Sequence, residues 1–303
     1  MKNSSEDTQK NNTNSTNFIN KDSDKIDKSE IKKHESLKVE TIQRVISAFV
    51  VAPFVVLCFI SYKSLVGLVA AIVMISSSEF FFTTIKKYNV WLSFIYTIIV
   101  TSYPILYGIV FSYNQMELLA VTYIVGIIIT LWKVKNREII IEVYFAYTTA
   151  LFYIGFLLSF FIPIYAKYRG AIALLTLTST WAYDSFAFGF GMLFGKHKFG
   201  SYYSPNKSWE GFFGGILGTF IYITLYQLIA NLFFNTNMHL TLIQKILFSV
   251  IVGIFDSFGD IFESSIKRHY NVKHMGNLMP GHGGMLDRID GLLFITPIVY
   301  IFL

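Results

Sequence analysis

Five acids and four bases are crowded between Asp256 and Asp290 of a chain that is otherwise mostly apolar. Asp256, Asp260 and Glu263 stand at i, i+4 and i+7, the spacing that stacks three carboxylates along one helix face. Like charges on one stripe repel, and a divalent cation is the simplest compensation. An oxygen-only donor set favours magnesium over zinc, because the thiolates or multiple histidines that zinc prefers are missing. Lys267 and Arg288 offer the alternative of neutralising some of these acids as ion-pair partners. Asp287 and Asp290 follow at i, i+3 at the start of the last apolar run, where the positive end of a helix dipole tolerates acids. For Asp290 a plain N-terminal capping role competes with metal binding.

Lys267, Arg268, Lys273 and Arg288 surround these acids, and acid and base together suit phosphate chemistry, in which cations absorb the charge of the transition state. The segment "MPGHGGMLDRIDGLL", Met279 to Leu293, adds a turn whose glycines, Gly283 and Gly284 among them, let backbone N–H groups approach an anion. His282 in that turn reads as a phosphate donor, a general base, or a turn histidine bonded to backbone. An upstream region, Thr180 to Gly215, carries Asp184 inside an apolar helix, where an ionisable group marks function or an interhelical hydrogen bond. It continues into "GKHKFG" and "SPNKSWEG", whose Ser204, Lys207 and Ser208 suit an anionic ligand, although any loop of this kind looks somewhat similar.

The elements that must position these residues are membrane spans. Of 303 residues 53% are hydrophobic and 15% charged, with 30 Phe and 19 Tyr, more than one soluble core needs. Apolar runs at 43–61, 64–84, 91–111, 117–132, 143–163, 171–194, 211–234, 242–263 and 286–303 predict about nine transmembrane helices, an all-α polytopic fold. Residues 1–40 are polar and low in complexity and predict a disordered tail that is an idle solvated arm or a lysine contact to lipid; residues 41–303 form the membrane domain. No h-region of a signal peptide precedes residue 44, and the single cysteine, Cys58, excludes an intrachain disulfide. With the N-terminus cytoplasmic, twelve Lys and Arg fall in inner loops, and only Lys63, Lys167, Arg169 and Lys245 in outer ones. The tail and both polar loops, 195–210 and 264–285, are therefore expected on the cytoplasmic face.

The order Ser264, Lys267–Arg268, Lys273, Pro280–Gly281–His282–Gly283–Gly284, Asp287–Arg288, Asp290 resembles the signature of the phosphatidate cytidylyltransferase family, the CDP-diacylglycerol synthases. The likeness extends to Gly259–Asp260, Glu263–Ser264, "SPNKSWEG" and, less distinctively, "QRVISA" at Gln43–Ala48, so it spans the membrane region but not the tail. It implies an integral membrane enzyme, bound to the cytoplasmic membrane if bacterial and expected as a homodimer, that condenses CTP with phosphatidic acid to CDP-diacylglycerol and pyrophosphate in phospholipid biosynthesis. It also implies a magnesium ion held by Asp260 and Asp287, with room for a second cation and with Glu263 and Asp290 as further candidate ligands. Ser264 and Lys267 would stand at the phosphates, with His282 beside them. Arg268, Lys273, Arg288, Ser204, Lys207, Ser208, Gly283, Gly284 and Asp184 are the candidate substrate-binding positions. No nucleic acid is expected as a partner. Two positions depart from the family pattern: His274 stands where it usually has Asp, and Met279 where it usually has Leu, Ile or Phe.

Two other classes compete. A CTP-dependent lipid kinase would need the same metal and phosphate parts, and "HGGMLDRID" argues against it. A transporter would string ionisable residues across several helices near mid-membrane, whereas here they gather at one face; Glu79, late in the second span, is the main exception and is read as interfacial.

Overall fold

The structure is a computed structural model; it describes residues 53–109, 114–198, 207–234, 236, 238–276 and 283–303. The described residues are helical: α1 Tyr62–Thr84, α2 Val90–Ile109, α3 Gln115–Lys133, α4 Arg137–Thr149, α5 Phe161–Phe194, α6 Trp209–Phe234, α7 Leu242–His269 and α8 Leu286–Phe302, with a π-helical segment, Ala150–Phe156, following α4. Among them no extended strand forms; one isolated antiparallel bridge joins Lys198 and Ser208. Six helical stretches are long and apolar enough to cross a membrane. The expected tail, most of the first span and "QRVISA" lie outside the described residues; 53–58 are helical.

Local chemistry sets several boundaries. Asn114 and Asn136 cap α3 and α4 by accepting from Met116 N and Glu138 N, at 3.2 and 2.9 Å. Thr241 and Gln244 form a reciprocal capping box at the start of α7. The stretch Arg137–Phe194, 58 residues, is continuous enough to read as one helix. Straight, it would be about 87 Å long, nearly three times a hydrocarbon core of about 30 Å. It is broken instead. Ser159 and Phe160 form a turn, and Arg169 takes φ 64° and ψ −174°, outside helical space. Gly170 then packs so closely on the Phe59 carbonyl that a Cβ has no room, and Tyr165 Oη donates to Ile60 O at 2.9 Å. The expected division between spans at 163 and 171 matches this break.

Two expected boundaries move. α4 begins at Arg137 rather than 143. α7 runs to His269 rather than 263, so Ser264, Lys267 and Arg268 lie on a helix and not in the loop assigned to them. That extension gives the acid stripe another turn of rigid support.

α1 packs along α2, α5 along α6 and α7 along α8, and the core where α1, the π-helical segment, α7 and α8 converge is filled by aromatic and aliphatic side chains. α7 and α8 cross at Gly259 and Gly291. A Cβ on Gly259 would strike the Asp290 carbonyl and Gly291 Cα, and one on Gly291 would strike Asp256, so only glycine permits this approach.

Candidate active site

α7 supplies one wall of the site. Its acid stripe is resolved into three separate pairings. Asp256 is hydrogen-bonded to Asp184 of α5. Asp260 Oδ2 lies 2.8 Å from Lys207 Nζ, and Lys207 also donates to Ser257 O at 3.3 Å. Glu263, fully buried, accepts from Lys267, whose Nζ also donates to Asp287 Oδ1 at 2.8 Å. The three carboxylates do share a face, and lysines as well as acids meet them. Ser264 Oγ reaches Asp260 Oδ1 at 3.5 Å. Asp260 on α7 and Asp287 on α8 are held by different lysines.

Asp287 is fixed from several sides. Its Oδ2 accepts from Gly284 N at 2.8 Å and from Met275 N at 3.2 Å, and His274 Nδ1 lies 3.7 Å away, beyond hydrogen-bonding distance. Gly283 adopts φ +85°, a conformation glycine enters at no steric cost, and a Cβ there would stand 2.7 Å from His274 Nδ1 and 2.8 Å from Asp287 Oδ2. Asp290 is not a helix cap. It lies a full turn inside α8, whose N-cap is Met285, and its Oδ1 accepts from the Gly291 amide at 3.0 Å. It sits within electrostatic reach of Asp260, Asp184 and Lys267.

A cavity of about 560 Å³ opens between α5, α6 and the Asp260 end of this wall. Its lining is mixed: Asp184, Lys198, Lys207 and Asp260 are charged, and Ala187, Phe188, Met192 and Phe212 are apolar. Its volume is in the range of small-molecule sites. Ser208, expected to touch a ligand, is buried and accepts from Gly211 N at 3.2 Å, as the N-cap of α6. Arg268, Lys273 and Arg288 are exposed around α7 and α8; among the described residues Arg268 and Lys273 form no ion pair. His282 and Ser204 lie outside the described residues.

Two contributors escaped the sequence reading. Glu79 of α1, read as interfacial, accepts from Met285 N at 3.0 Å and Leu286 N at 3.1 Å. Tyr153, on the π-helical segment, is buried against Phe262 and Phe294 with ring centroids 4.9 and 5.5 Å away, and Asp290, Glu263 and Asp260 are the acids nearest it in electrostatic effect. π-helical turns inside α-helices frequently mark functional positions. An acid in an apolar run was a visible signal for Glu79; a tyrosine among 19 was none.

Among the described residues no group of three or more His, Cys, Asp or Glu side chains is gathered to hold an ion by itself. The acids present still fit magnesium. That ion dehydrates reluctantly and is commonly held by one or two carboxylates plus substrate phosphates rather than by an all-protein cage.

The sequence profile of the cytidylyltransferase family matches residues 42–303. A phosphatidate cytidylyltransferase of Thermotoga maritima is 47% identical over 258 residues, 85% of this chain and 94% of that protein. One from Bacillus subtilis is 39% identical over 172 residues, 56% of this chain and 61% of its own length, and one from Staphylococcus epidermidis 42% identical over 123 residues, 41% and 45%.

Proposed function

The chain belongs to the cytidylyltransferase family, and on that premise we propose that it is a phosphatidate cytidylyltransferase, condensing CTP with phosphatidic acid to CDP-diacylglycerol and pyrophosphate. The observation that carries this reading beyond likeness is a cavity whose lining combines lysine-held Asp260 with apolar side chains. A substrate with a phosphate head and acyl chains needs both.

In the reaction a phosphate oxygen of phosphatidate attacks the α-phosphorus of CTP. The new P–O bond forms as the bond to the β-phosphate oxygen breaks, and pyrophosphate leaves with that electron pair. Phosphatidate that has lost its second proton is already a nucleophile, so no strong base is demanded, and His282 serves better as an orienting donor. Lys207 lies near enough to the cavity to exchange its carboxylate for a substrate phosphate. Ser264 orients Asp260, and Lys267 holds Asp287 in position. Arg268, Lys273 and Arg288, all exposed, would supply positive charge for the substrate phosphates. Asp260 and Asp287 would hold magnesium, with Glu263 and Asp290 as reserve ligands for a second cation. A cation held there would neutralise phosphate charge and favour departure of the pyrophosphate.

The same reading carries nine crossings, the first over 43–61, a disordered cytoplasmic tail over 1–40, a membrane domain over 41–303, a cytoplasmic active site and a homodimer. Lys207 and Asp260 meeting at 2.8 Å supports placing both polar loops at one end of the bundle. Single cysteines at Ser201 and Asn277 in a Cys58-free background are expected to be labelled from the cytoplasmic side only; opposite sidedness would break the shared site.

The activity is tested with detergent-purified protein, CTP labelled at the α-phosphate, phosphatidate and magnesium. Labelled CDP-diacylglycerol with equimolar pyrophosphate is the expected product. Unlabelled phosphorylated lipid with labelled CDP would instead identify a kinase.

A further inference from the structure

We infer that Glu79 is a positioning residue for the reaction: its carboxylate, reaching over from α1, holds the turn from which Asp287 is presented. The inference rests on the activity proposed above and names a residue outside the set expected from the sequence.

The first amides of a helix lack partners within it and are usually met by an N-cap side chain close by in sequence. α8 has Met285 at that position, with no side-chain acceptor. Glu79 takes the place of the cap from 206 residues away: Oε1 accepts from Met285 N and Oε2 from Leu286 N. Each bond is charge-assisted, and the carboxylate faces the positive end of the helix dipole. The chain is shaped around it. A Cβ on Gly276 or on Gly284 would run into the Glu79 carboxylate, so glycine at both positions leaves room for it.

A second contact comes from the same face of α1. Thr83, one turn after Glu79, donates from Oγ1 to Met275 O at 3.1 Å. Both sides of the turn, Met275 and Gly284–Leu286, are thus tied to α1, and Asp287 accepts from an amide on each of those sides. Glu79 also fills the anion-binding end of α8, a place that would otherwise attract a phosphate. The substrate phosphates are left to the lysine-bearing wall.

The test compares wild type with Glu79→Gln, Glu79→Ala and the control Ser78→Ala, whose hydroxyl bonds only within its own helix. Outer partners of a metal-binding group cost about 10–100-fold in affinity or activity when removed. Glu79→Ala is expected to lower kcat about 100-fold and to raise the half-saturating magnesium concentration about tenfold, with the KM for CTP within about threefold. Glu79→Gln keeps one acceptor oxygen and is expected to recover part of both losses; Ser78→Ala should match wild type. Hydrogen exchange supplies a readout independent of turnover. In Glu79→Ala, amides at 284–288 should exchange at least about tenfold faster while 242–258 keep their protection. A folded Glu79→Ala with unchanged magnesium dependence, or with unchanged exchange at 284–288, overturns the inference. Wild-type protein that makes no CDP-diacylglycerol would instead sink the proposed activity, and the exchange measurement would still decide whether Glu79 holds the turn.

Discussion

Two lysine–aspartate pairs face the proposed chemistry, and they are built differently. Lys207 and Asp260 meet at 2.8 Å with side chains 23% and 37% exposed, and Lys207 comes from just before α6, across the cavity. Lys267 and Asp287 meet at the same distance but are 14% and 6% exposed, with Glu263 against the lysine and two backbone amides on the aspartate. A partly solvated pair is worth about 1 kcal/mol or less and is easily exchanged for another partner. A buried pair gains little over apolar packing, yet losing one member costs about 3–5 kcal/mol. One end of the wall is therefore exchangeable and the other fixed, which suits an enzyme that must admit a charged substrate while Asp287, the acid proposed to hold the metal, stays in place.

The comparison is broken most severely at Asp287. Asp287→Asn keeps size but removes the charge that Lys267 and the proposed metal require. Magnesium-dependent turnover is expected to fall by about 10³-fold or more while the protein still inserts in membranes. Asp260→Asn should do the same, and the double variant should be scarcely worse than either alone, as for residues acting as a unit. Near-normal rates in Asp287→Asn would remove "GHGGMLDRID" from the active site.

Lys267→Met tests the fixed end for stability. It strands Glu263 and Asp287 in a buried setting, and a loss of about 3–5 kcal/mol should appear in thermal or denaturant unfolding together with loss of activity. An unfolding midpoint equal to wild type would show that the end is not fixed by this lysine. Lys207→Met tests the exchangeable end, where stability should change by about 1 kcal/mol at most while the KM for one substrate rises about tenfold; a large drop in unfolding midpoint with unchanged KM would reverse the assignment of the two ends. The smallest effect is expected at His274, 44% exposed and too far from Asp287 to bond it. His274→Asp restores the residue usual in the family, and turnover should equal or exceed wild type. A pronounced fall would mean that the histidine has a contact of its own.

Much of this was legible in the chain. Apolar runs of span length located most of the described helices to within a few residues, because burial in lipid leaves little choice of composition. The i, i+4, i+7 acids did share a face, and Lys207 of the first polar region does meet Asp260 of the second. What was hidden depends on distance in sequence. Nothing near Glu79 says that its partners are Met285 and Leu286, and nothing near Asp256 says that it meets Asp184. The positive φ of Arg169 and the π-helical turn at Tyr153 arise from packing, which composition does not encode. Ser208 lines the cavity and also caps α6, a second role that had a signal in the chain, since a serine directly before a helix is a common cap.

The bond from Glu79 to α8 also bears on how the protein is made. A ribosome delivers α1 to the membrane long before Met285 is translated, 206 residues later. Until then the carboxylate has no helix end to hold, and the turn that carries Asp287 does not exist. Assembly of the proposed catalytic end is consequently a late event of biogenesis, and a chain that stops short of α8 lacks both the helix end that Glu79 holds and the acid proposed to bind the metal.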